Sequence, residues 1–333
     1  MTLIAKSFLE RAPSDAESVC DRGFQPLKEP IPLGEQVWPD GVKPLVCTVT
    51  MTYNHEAFIT DAIEGIINQR TTFPVWVCIH DDASSDRTAD IVRDYQSRYP
   101  KLIKAFFQEI NSHKNPNRKA MRTEFAGWCR AAKYRAFCEG DDYWISPEKL
   151  QLQAEYLEKN ADVVMVGCYS RNLQPDGKFK KREAELIERR TNFCTYLANG
   201  GYGLGTLNLM VRNESVCSLR PLDAGYEMNQ PNGDVRRVST LLKHYGDAVQ
   251  LPFIGGVYRS GLGIWGGLPG KDKRLKSFHN AKYVLSLCDS RKQKSQYWIR
   301  YMRTHLKSDI YRMRGSTLLR DCKVLAQIIA GTS

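Results

Sequence analysis

From Leu45 onward the chain alternates short apolar runs with amphipathic ones. LVCTVTM (45–51) has the length and β-branched content of a buried strand, and the polar turn Thr52-Tyr53-Asn54-His55 follows it. In FITDAIEGIINQ, Phe58, Ile59, Ile63, Ile66 and Ile67 recur at helical spacing. VWVCIH (75–80), the polar stretch DDASSD (81–86) and the helical pattern RTADIVRDYQSRY repeat the alternation. YRAFC (134–138) predicts a third strand, and DVVMVGCY (162–169), GTLNLMV (205–211) and VQLPFIGGVY (249–258) predict others. This spacing of strands and helices predicts parallel βαβ units, hence an α/β fold with a mostly parallel sheet flanked by helices. Residues 1–44 hold six of the 15 prolines and no sustained period, which predicts an irregular extension.

In sheets of this kind ligands bind outside the carboxyl ends of the strands. Three polar loops fall there: TYNH, DDASSD and the turn in CEGDDYW (138–144). The last gathers Glu139, Asp141 and Asp142 within four positions, and no Lys or Arg lies between Ala136 and Pro147. Asp142 or Ser146 can cap the helix in SPEKLQLQAEYLEK, but a cap accounts for one acid, not three. Like charges this close raise one another's pKa unless a cation compensates, and carboxylate oxygens suit Mg²⁺ or Mn²⁺. In DDASSD, Ser84, Ser85 or Asp86 can cap the next helix, leaving Asp81 and Asp82 to accept hydrogen bonds from a base or a ribose. No G-x-G-x-x-G and no Walker lysine motif is present.

Charge changes the picture at one end only. Of 48 Lys and Arg, 15 lie in 271–333 with only 4 of the 37 Asp and Glu, so the first 270 residues balance at 33 against 33. In YWIRYMRTHLKSDIYRMR a stripe of Ile299, Met302, Leu306, Ile310 and Met313 opposes Arg300, Arg303, Lys307 and Arg314. Such a helix either packs on the domain with a solvated basic face or lies on an anionic membrane through 291–314. No zinc-ligand spacing or RNA-binding signature accompanies the charge, which excludes nucleic acid as the expected partner. No apolar run reaches the length of a membrane span, and the N-terminus reads poorly as a secretory signal. The ten cysteines form no C-x-x-C pair, and Cys47, Cys78 and Cys168 lie inside apolar runs. The expected location is the cytoplasm, free or peripheral on the cytoplasmic face of a membrane.

TMTYNHEAFITDAIEGIINQ, IHDDASSDRTADIV and FCEGDDYWISPEKLQLQ, in this order and spacing, resemble a family 2 glycosyltransferase of the GT-A fold. The resemblance covers about residues 45–265, between the extension 1–44 and a basic helical extension 266–333. It implies a nucleotide-sugar donor (a UDP-sugar), a divalent metal (Mn²⁺ or Mg²⁺), inversion at the anomeric carbon, and a glycan or lipid-linked saccharide acceptor. Thr52, Tyr53 and Asn54 fall in the loop that lines the nucleotide, and Asp81 and Asp82 on the pair that reaches base and ribose. Glu139-Gly140-Asp141 occupies the D-x-D position. Asp141 is the expected direct metal ligand, Glu139 is a metal or ribose partner, and Asp142 is the following acid, counted with the donor-binding residues but expected to stand behind the metal or to shape the turn.

Inversion requires a base for the acceptor hydroxyl. The family pattern places it at Asp234 in PNGDVRRVSTLLKHYGD, also the natural N-cap of that helix, with Asp223 and Glu227 as rivals. In GGVYRSGLGIWGG (255–267), Tyr258, Arg259, Gly263 and Trp265 match a family segment. The family's histidine is absent near Gly261, which leaves Arg259 to hold the diphosphate, while Trp265 is a sugar platform or core. Two other classes share parts of this pattern. A sugar nucleotidylyltransferase would bring a glycine-rich N-terminal signature, and a degenerate scaffold would bind a nucleotide without turnover.

Overall fold

The computed structural model describes residues 24–111, 123–181, 185–201, 204–218, 231–262, 267–310 and 323. In chain order the strands are β1 (Ile31–Pro32), β2 (Val46–Thr52), β3 (Arg70–Thr71), β4 (Val75–Asp81), β5 (Ile103–Phe107), β6 (Tyr134–Phe137), β7 (Tyr143–Trp144), β8 (Val163–Leu173), β9 (Arg189–Thr191), β10 (Met210–Arg212) and β11 (Asp247–Arg259). The helices are α1 (Ile59–Ile67), α2 (Thr88–Arg98), α3 (Thr123–Arg130), α4 (Lys149–Lys159), α5 (Phe193–Ala198), α6 (Asn213–Ser218), α7 (Gly233–His244), α8 (Gly270–Ser286) and α9 (Arg291–Ile310).

The main sheet runs β5-β4-β2-β6-β10-β8-β11-β7, with β9 on β11. β5, β4, β2 and β6 are parallel, as the βαβ pattern predicts. Beyond them the sheet is mixed. β10 is antiparallel to both β6 and β8, β8 and β11 are parallel, and β7 and β9 run against β11. The expectation of a mostly parallel sheet therefore holds for the first half only. A strand buried on both faces reads as a continuous apolar run whichever way it points, so the pattern predicts the strands but not their directions.

GTLNLMV also differs from expectation. Thr206–Asn208 form a 3-10 turn, and only Met210–Arg212 pair as a strand. Side chains replace the ladder there: the Leu207 carbonyl accepts Trp144 Nε1–H at 2.8 Å, and that of Asn208 accepts Gln153 Nε2–H at 2.7 Å. In the N-terminal segment, Phe24 and Leu33 are buried in the main core and β1 pairs with β3, so this part lies on the domain.

The first core packs α1 and α4 on the sheet through Ile59, Ile63, Ile66, Leu150 and Leu157. A second lies under α5, α7, α8 and α9, where Val238, Leu241, Ala281, Leu285 and Tyr297 meet Met165, Val211 and Ala248 of the strands. The C-terminal helices are thus packed against the sheet rather than free-standing. The buried side of α9 is Tyr297, with Trp298 and Tyr301 packed beside it, whereas Ile299 is 51% exposed and lies with Arg300 and Arg303 on the outer side. The side chains of Leu306, Ile310 and Met313 lie outside the described residues. Among the described residues no helix is long and apolar enough to cross a membrane. Cys47, Cys78 and Cys168 are buried free thiols, packed as the small hydrophobes their apolar runs suggest.

One cation sits inside the first core. Lys149 is fully buried, donates from Nζ to Gln153 Oε1 at 2.8 Å and stacks 3.8 Å from the centroid of the Trp144 ring. Burial brings its pKa down from 10.5 to about 8. The folded state therefore holds this proton less firmly than the unfolded chain, and stability rises as pH climbs from about 8 to 10.5, with the full cost present below 8. After allowance for the lost ring contact, Lys149→Met is expected to be more stable than wild type by about 1–2 kcal/mol at pH 7. Urea unfolding should show that advantage shrinking toward pH 10.

Candidate active site

β2 and β4 pair in register from Val46↔Val75 to Thr52↔Asp81, and β6 pairs with β2 up to Val49↔Phe137. TYNH, DDASSD and EGDD consequently leave the same edge of the sheet. Backbone bonds tie them: Asp82 N–H donates to Thr52 O at 2.9 Å, and Gly140 N–H to Met51 O at 3.0 Å. The approach explains the glycine between Glu139 and Asp141. A Cβ at Gly140 would lie 2.8 Å from both Thr52 Oγ1 and His55 Nδ1, closer than side chains pack.

The first two loops interlock. Asn54, held at φ 53°, donates its own N–H to Ser84 Oγ at 2.9 Å, while its Oδ1 accepts Ser85 N–H at 2.8 Å. Glu56 and Asp86 exchange similar bonds, Glu56 N–H to Asp86 Oδ2 at 3.1 Å and Arg87 N–H to Glu56 Oε2 at 3.0 Å. Asp86 also accepts Thr88 N–H at 2.9 Å, but the N-cap of α2 is Arg87 and no side chain caps it, so Ser84, Ser85 and Asp86 bind the neighbouring loop instead of capping the helix. Asp81 is 2% exposed and accepts Ser84 N–H at 3.0 Å, so its carboxylate shapes the loop from beneath. Thr52 is buried too, Asp82 is half-buried, and Tyr53 and Asn54 are exposed at the rim.

In the acidic turn, Glu139, Asp141 and Asp142 bring carboxylate oxygens within 4.8 Å of one another. This all-oxygen donor set fits a hard divalent cation. The three acids are not equivalent. Glu139 is reached by solvent although protein surrounds it, Asp141 is half-buried and Asp142 is 1% exposed. Asp142 Oδ1 accepts the Arg259 N–H at 2.7 Å, and its buried Oδ2 has no hydrogen-bond partner among the described residues. Burial pushes its carboxyl up to about 8; the Arg259 N–H opposes this, and Asp141 and Glu139 add to it.

Two expectations change here. Neither Asp142 nor Ser146 caps α4, which starts after Glu148 without a side-chain cap. Asp142 is enclosed and anchors the turn on β11, the structural side of its expected role rather than direct contact with the donor. Arg259 is likewise 9% exposed and engaged: it donates from Nη1 to Asp141 O at 2.9 Å, pairs with Asp61 of α1, and lies over the Phe58 and Tyr143 rings. Its charge is satisfied inside the protein, so it does not replace the absent histidine as a free diphosphate ligand.

Asp234 arrives from the other core. It is the second residue of α7 rather than its cap, because Asn232 is the N-cap; among the described residues Asp234 Oδ1 accepts its neighbour Val235 N–H, at 2.8 Å, and the residue is exposed. Its field reaches the acidic turn. Burial pushes the Glu139 carboxyl up to about 7, Asp141 and then Asp234 add to this, and Arg237 opposes it. Arg237 lies 4.1 Å from the Phe137 ring centroid; burial lowers its pKa while Asp234 and Glu139 hold it up. Tyr258, 37% exposed, has its phenol raised by burial and then by Asp142, Asp141, Glu139 and Asp234 together. His55 is held down by burial against the pull of Asp141, Asp86 and Asp81. Glu139, Asp141, Asp234 and Tyr258 thus share one site, with Arg237 behind it.

Sequence reasoning missed Asp61 and Arg237 and gave Tyr258 no role. Asp61 is 198 positions from Arg259, and nothing local marks the pair. Arg237 lies one helical turn after Asp234, the only signal that was available. Trp265, Asp223 and Glu227 lie outside the described residues.

Residues 47–212 match the model of glycosyl transferase family 2. The chain carries a family 2 glycosyltransferase domain. An uncharacterized protein of Mycobacterium tuberculosis is 38% identical over 142 residues, covering 43% of this chain and 40% of that one. An uncharacterized glycosyltransferase of Methanocaldococcus jannaschii is 28% identical over 140 residues, 42% of this chain and 46% of that one. The chain therefore matches less than half the length of either relative. In fold, the domain and its flanking helices resemble S. aureus TarS in complex with UDP-GlcNAc, at a TM-score of 0.62 and 12% identity over 85% of this chain and 81% of that chain. The family 2 resemblance of the three sequence blocks and the mixed α/β sheet agree with these matches.

The packing at Gly140 gives a direct check. Gly140→Ala is expected to cost about 1–3 kcal/mol, because Thr52 and His55 must move. Thermal unfolding should register that loss, while Gly127→Ala, whose Cβ meets nothing within 4 Å, should be neutral or slightly stabilising in its helix.

Proposed function

We propose that this protein is an inverting glycosyltransferase that moves a sugar from a nucleoside-diphosphate sugar, a UDP-sugar, to a hydroxyl of a glycan or lipid-linked saccharide. The observation that carries this reading is the acidic turn, where Glu139, Asp141 and Asp142 bring carboxylate oxygens within 4.8 Å of one another, met by the helix of Asp234 where its Arg237 packs 4.1 Å from the Phe137 ring centroid. Glu139 and Asp141 would hold Mn²⁺ or Mg²⁺, with Asp142 close behind. A cation bound there would supply positive charge for the departing diphosphate. Tyr53, Asn54 and Asp82 lie at the rim where a nucleotide would rest, and Thr52 and Asp81 hold that rim in shape. The family match and the UDP-GlcNAc held by the fold neighbour TarS support the donor class.

Asp234 is assigned the proton chemistry. As the acceptor oxygen bonds to the anomeric carbon, the bond from that carbon to the diphosphate oxygen breaks, and the acceptor proton passes to the Asp234 carboxylate. Its position in the first turn of α7 favours negative charge, and its carboxylate is exposed to an incoming acceptor. The outer face of α9, with Arg300 and Arg303, is where a peripheral contact with anionic cytoplasmic lipid would form.

The two carboxylate roles separate experimentally. Asp141→Asn should lose Mn²⁺-dependent UDP binding by calorimetry; affinity that is equal to wild type with and without chelator removes the metal assignment. Asp234→Asn should bind UDP normally and lose about 10²–10⁴-fold in transfer. Transfer near the wild-type rate would remove Asp234 as base, and UDP binding without turnover by wild type would point to a scaffold.

A further inference from the structure

The end of β8 runs past the acidic turn and folds back as a hairpin beside β11. Tyr258 and Arg259 pair with Asn172 and Leu173, and Leu173 bridges in turn to Phe179. The hairpin is closed by Gln174 N–H to Lys178 O and Lys180 N–H to Asn172 O, both 2.8 Å, around Gly177 at φ 78°. Because side chains alternate across a sheet, Tyr258, Asn172 and Lys180 form one row on one face, and Ser260, Gln174 and Lys178 form the next. Gln174 Nε2–H donating to Ser260 Oγ at 3.1 Å bears out that shared face. Phe179 belongs to the other face, where Arg171 lies 3.7 Å from its ring centroid and braces the hairpin.

We propose that the rows headed by Tyr258 and Ser260 form the acceptor platform and that Lys178 and Lys180 select a negatively charged saccharide, one bearing a uronate carboxylate or a phosphodiester. The proposal rests on the reading of Asp234 as base, and this face adjoins the acidic turn because Tyr258 lies between Val257, paired with Tyr143, and Arg259, whose N–H binds Asp142 Oδ1. Asn172, Gln174 and Ser260 offer the donors and acceptors that sugar hydroxyls take up. Residues 170–181 hold four cations, Arg171, Lys178, Lys180 and Lys181, against the single acid Asp176, which lies 4.0 Å from Lys178. All four cations are exposed.

Charge also orients such an acceptor. The return strand lies two strand spacings, about 10 Å, from β11. An anionic group over Lys180 is thereby kept clear of Glu139, Asp141 and Asp234, while a hydroxyl one sugar unit away points toward Asp234. Reversed, the anion would face three carboxylates. The hydrogen-bonding side chains of this face favour a saccharide over a lipid surface, for the exposed aromatic Phe179 is on the opposite side.

The test is a binding panel of short uronate oligosaccharides and phosphodiester-bearing oligosaccharides, each beside its carboxyl-reduced or dephosphorylated counterpart, with the full chain saturated with UDP and Mn²⁺. At least one acidic class should bind more tightly than its neutral counterpart, and the class that does so identifies the anion. Lys178→Glu with Lys180→Glu should reduce that affinity roughly 2- to 30-fold, the range of two exposed ion pairs. Lys180→Arg should keep it, and UDP affinity and melting temperature should stay at wild-type values in both variants. Equal binding of acidic and neutral members, an acidic preference that survives the double reversal, or the same lysine dependence toward phosphatidylserine vesicles in place of saccharides would overturn the proposal. Failure of the underlying site reading would show separately, as absence of UDP binding in the wild-type protein.

Discussion

One buried guanidinium holds the acidic turn in place. Arg259, the last residue of β11, pairs with Asp61 of α1, donates from Nη1 to the Asp141 carbonyl and offers its own N–H to Asp142 Oδ1. Phe58 and Tyr143 enclose it with ring centroids 5.1 and 4.5 Å from Cζ. Three segments far apart in sequence meet at this side chain: the start of α1 just after TYNH, the turn after β6, and the far end of the sheet. A buried cation left without partners is costly, so the fold that provides them also determines where Asp141 and Asp142 stand. The same requirement removes Arg259 from ligand binding and leaves the open site rich in carboxylates.

That surplus is assembled from two sides. The first core carries β6 and hence Glu139 and Asp141, while the second carries α7 and hence Asp234. Asp234 adds to the cost of ionising Glu139 only because both cores are complete, so the electrostatics of Glu139 report tertiary structure. Arg237 is the counterweight: it projects from α7 one turn beyond Asp234 and packs over Phe137, the residue that ends β6. A site divided this way can separate donor from acceptor, with charge for a diphosphate on the β6 side and a proton acceptor on the α7 side.

Much of this was legible in the sequence because it depends on short range. A run such as LVCTVTM followed by TYNH marks a strand end, and in an α/β sheet strand ends gather at one edge. EGDD stood out because no cation is near it in sequence. The parts that were not legible depend on long range. The reversal of β10 leaves no trace in an apolar run. The burial of Asp142 follows from an N–H 117 positions away, and the engagement of Arg259 from an acid on α1. Asp234 looked like an N-cap because Asp is favoured there, but Asn232 precedes it in extended conformation and starts the helix two residues earlier. Ile299, the first residue of the expected stripe on α9, is exposed for a related reason: Tyr297, Trp298 and Tyr301 outcompete it for the core, and aromatic side chains bury more area than an isoleucine.

These placements bear on where the positive charge for substrates must come from. Two buried cations are already engaged, Arg259 with Asp61 and Lys149 with Gln153 and Trp144, whereas Arg237 keeps a buried Nη1 with no hydrogen-bond partner among the described residues. The basic helices at the C-terminus pack into the second core through their apolar sides, and the excess charge there faces outward on α9. On the proposed reading, an anionic donor would meet these carboxylates with Arg237 as the nearby counterweight, and a divalent cation would supply the remaining compensation. An anionic acceptor has a different option, since the β8 hairpin extends the sheet beside β11 and carries exposed lysines on the same face as Tyr258. If both proposals hold, donor and acceptor charges are met by different means on adjoining surfaces, and the about 10 Å between β11 and the return strand keeps the two fields apart.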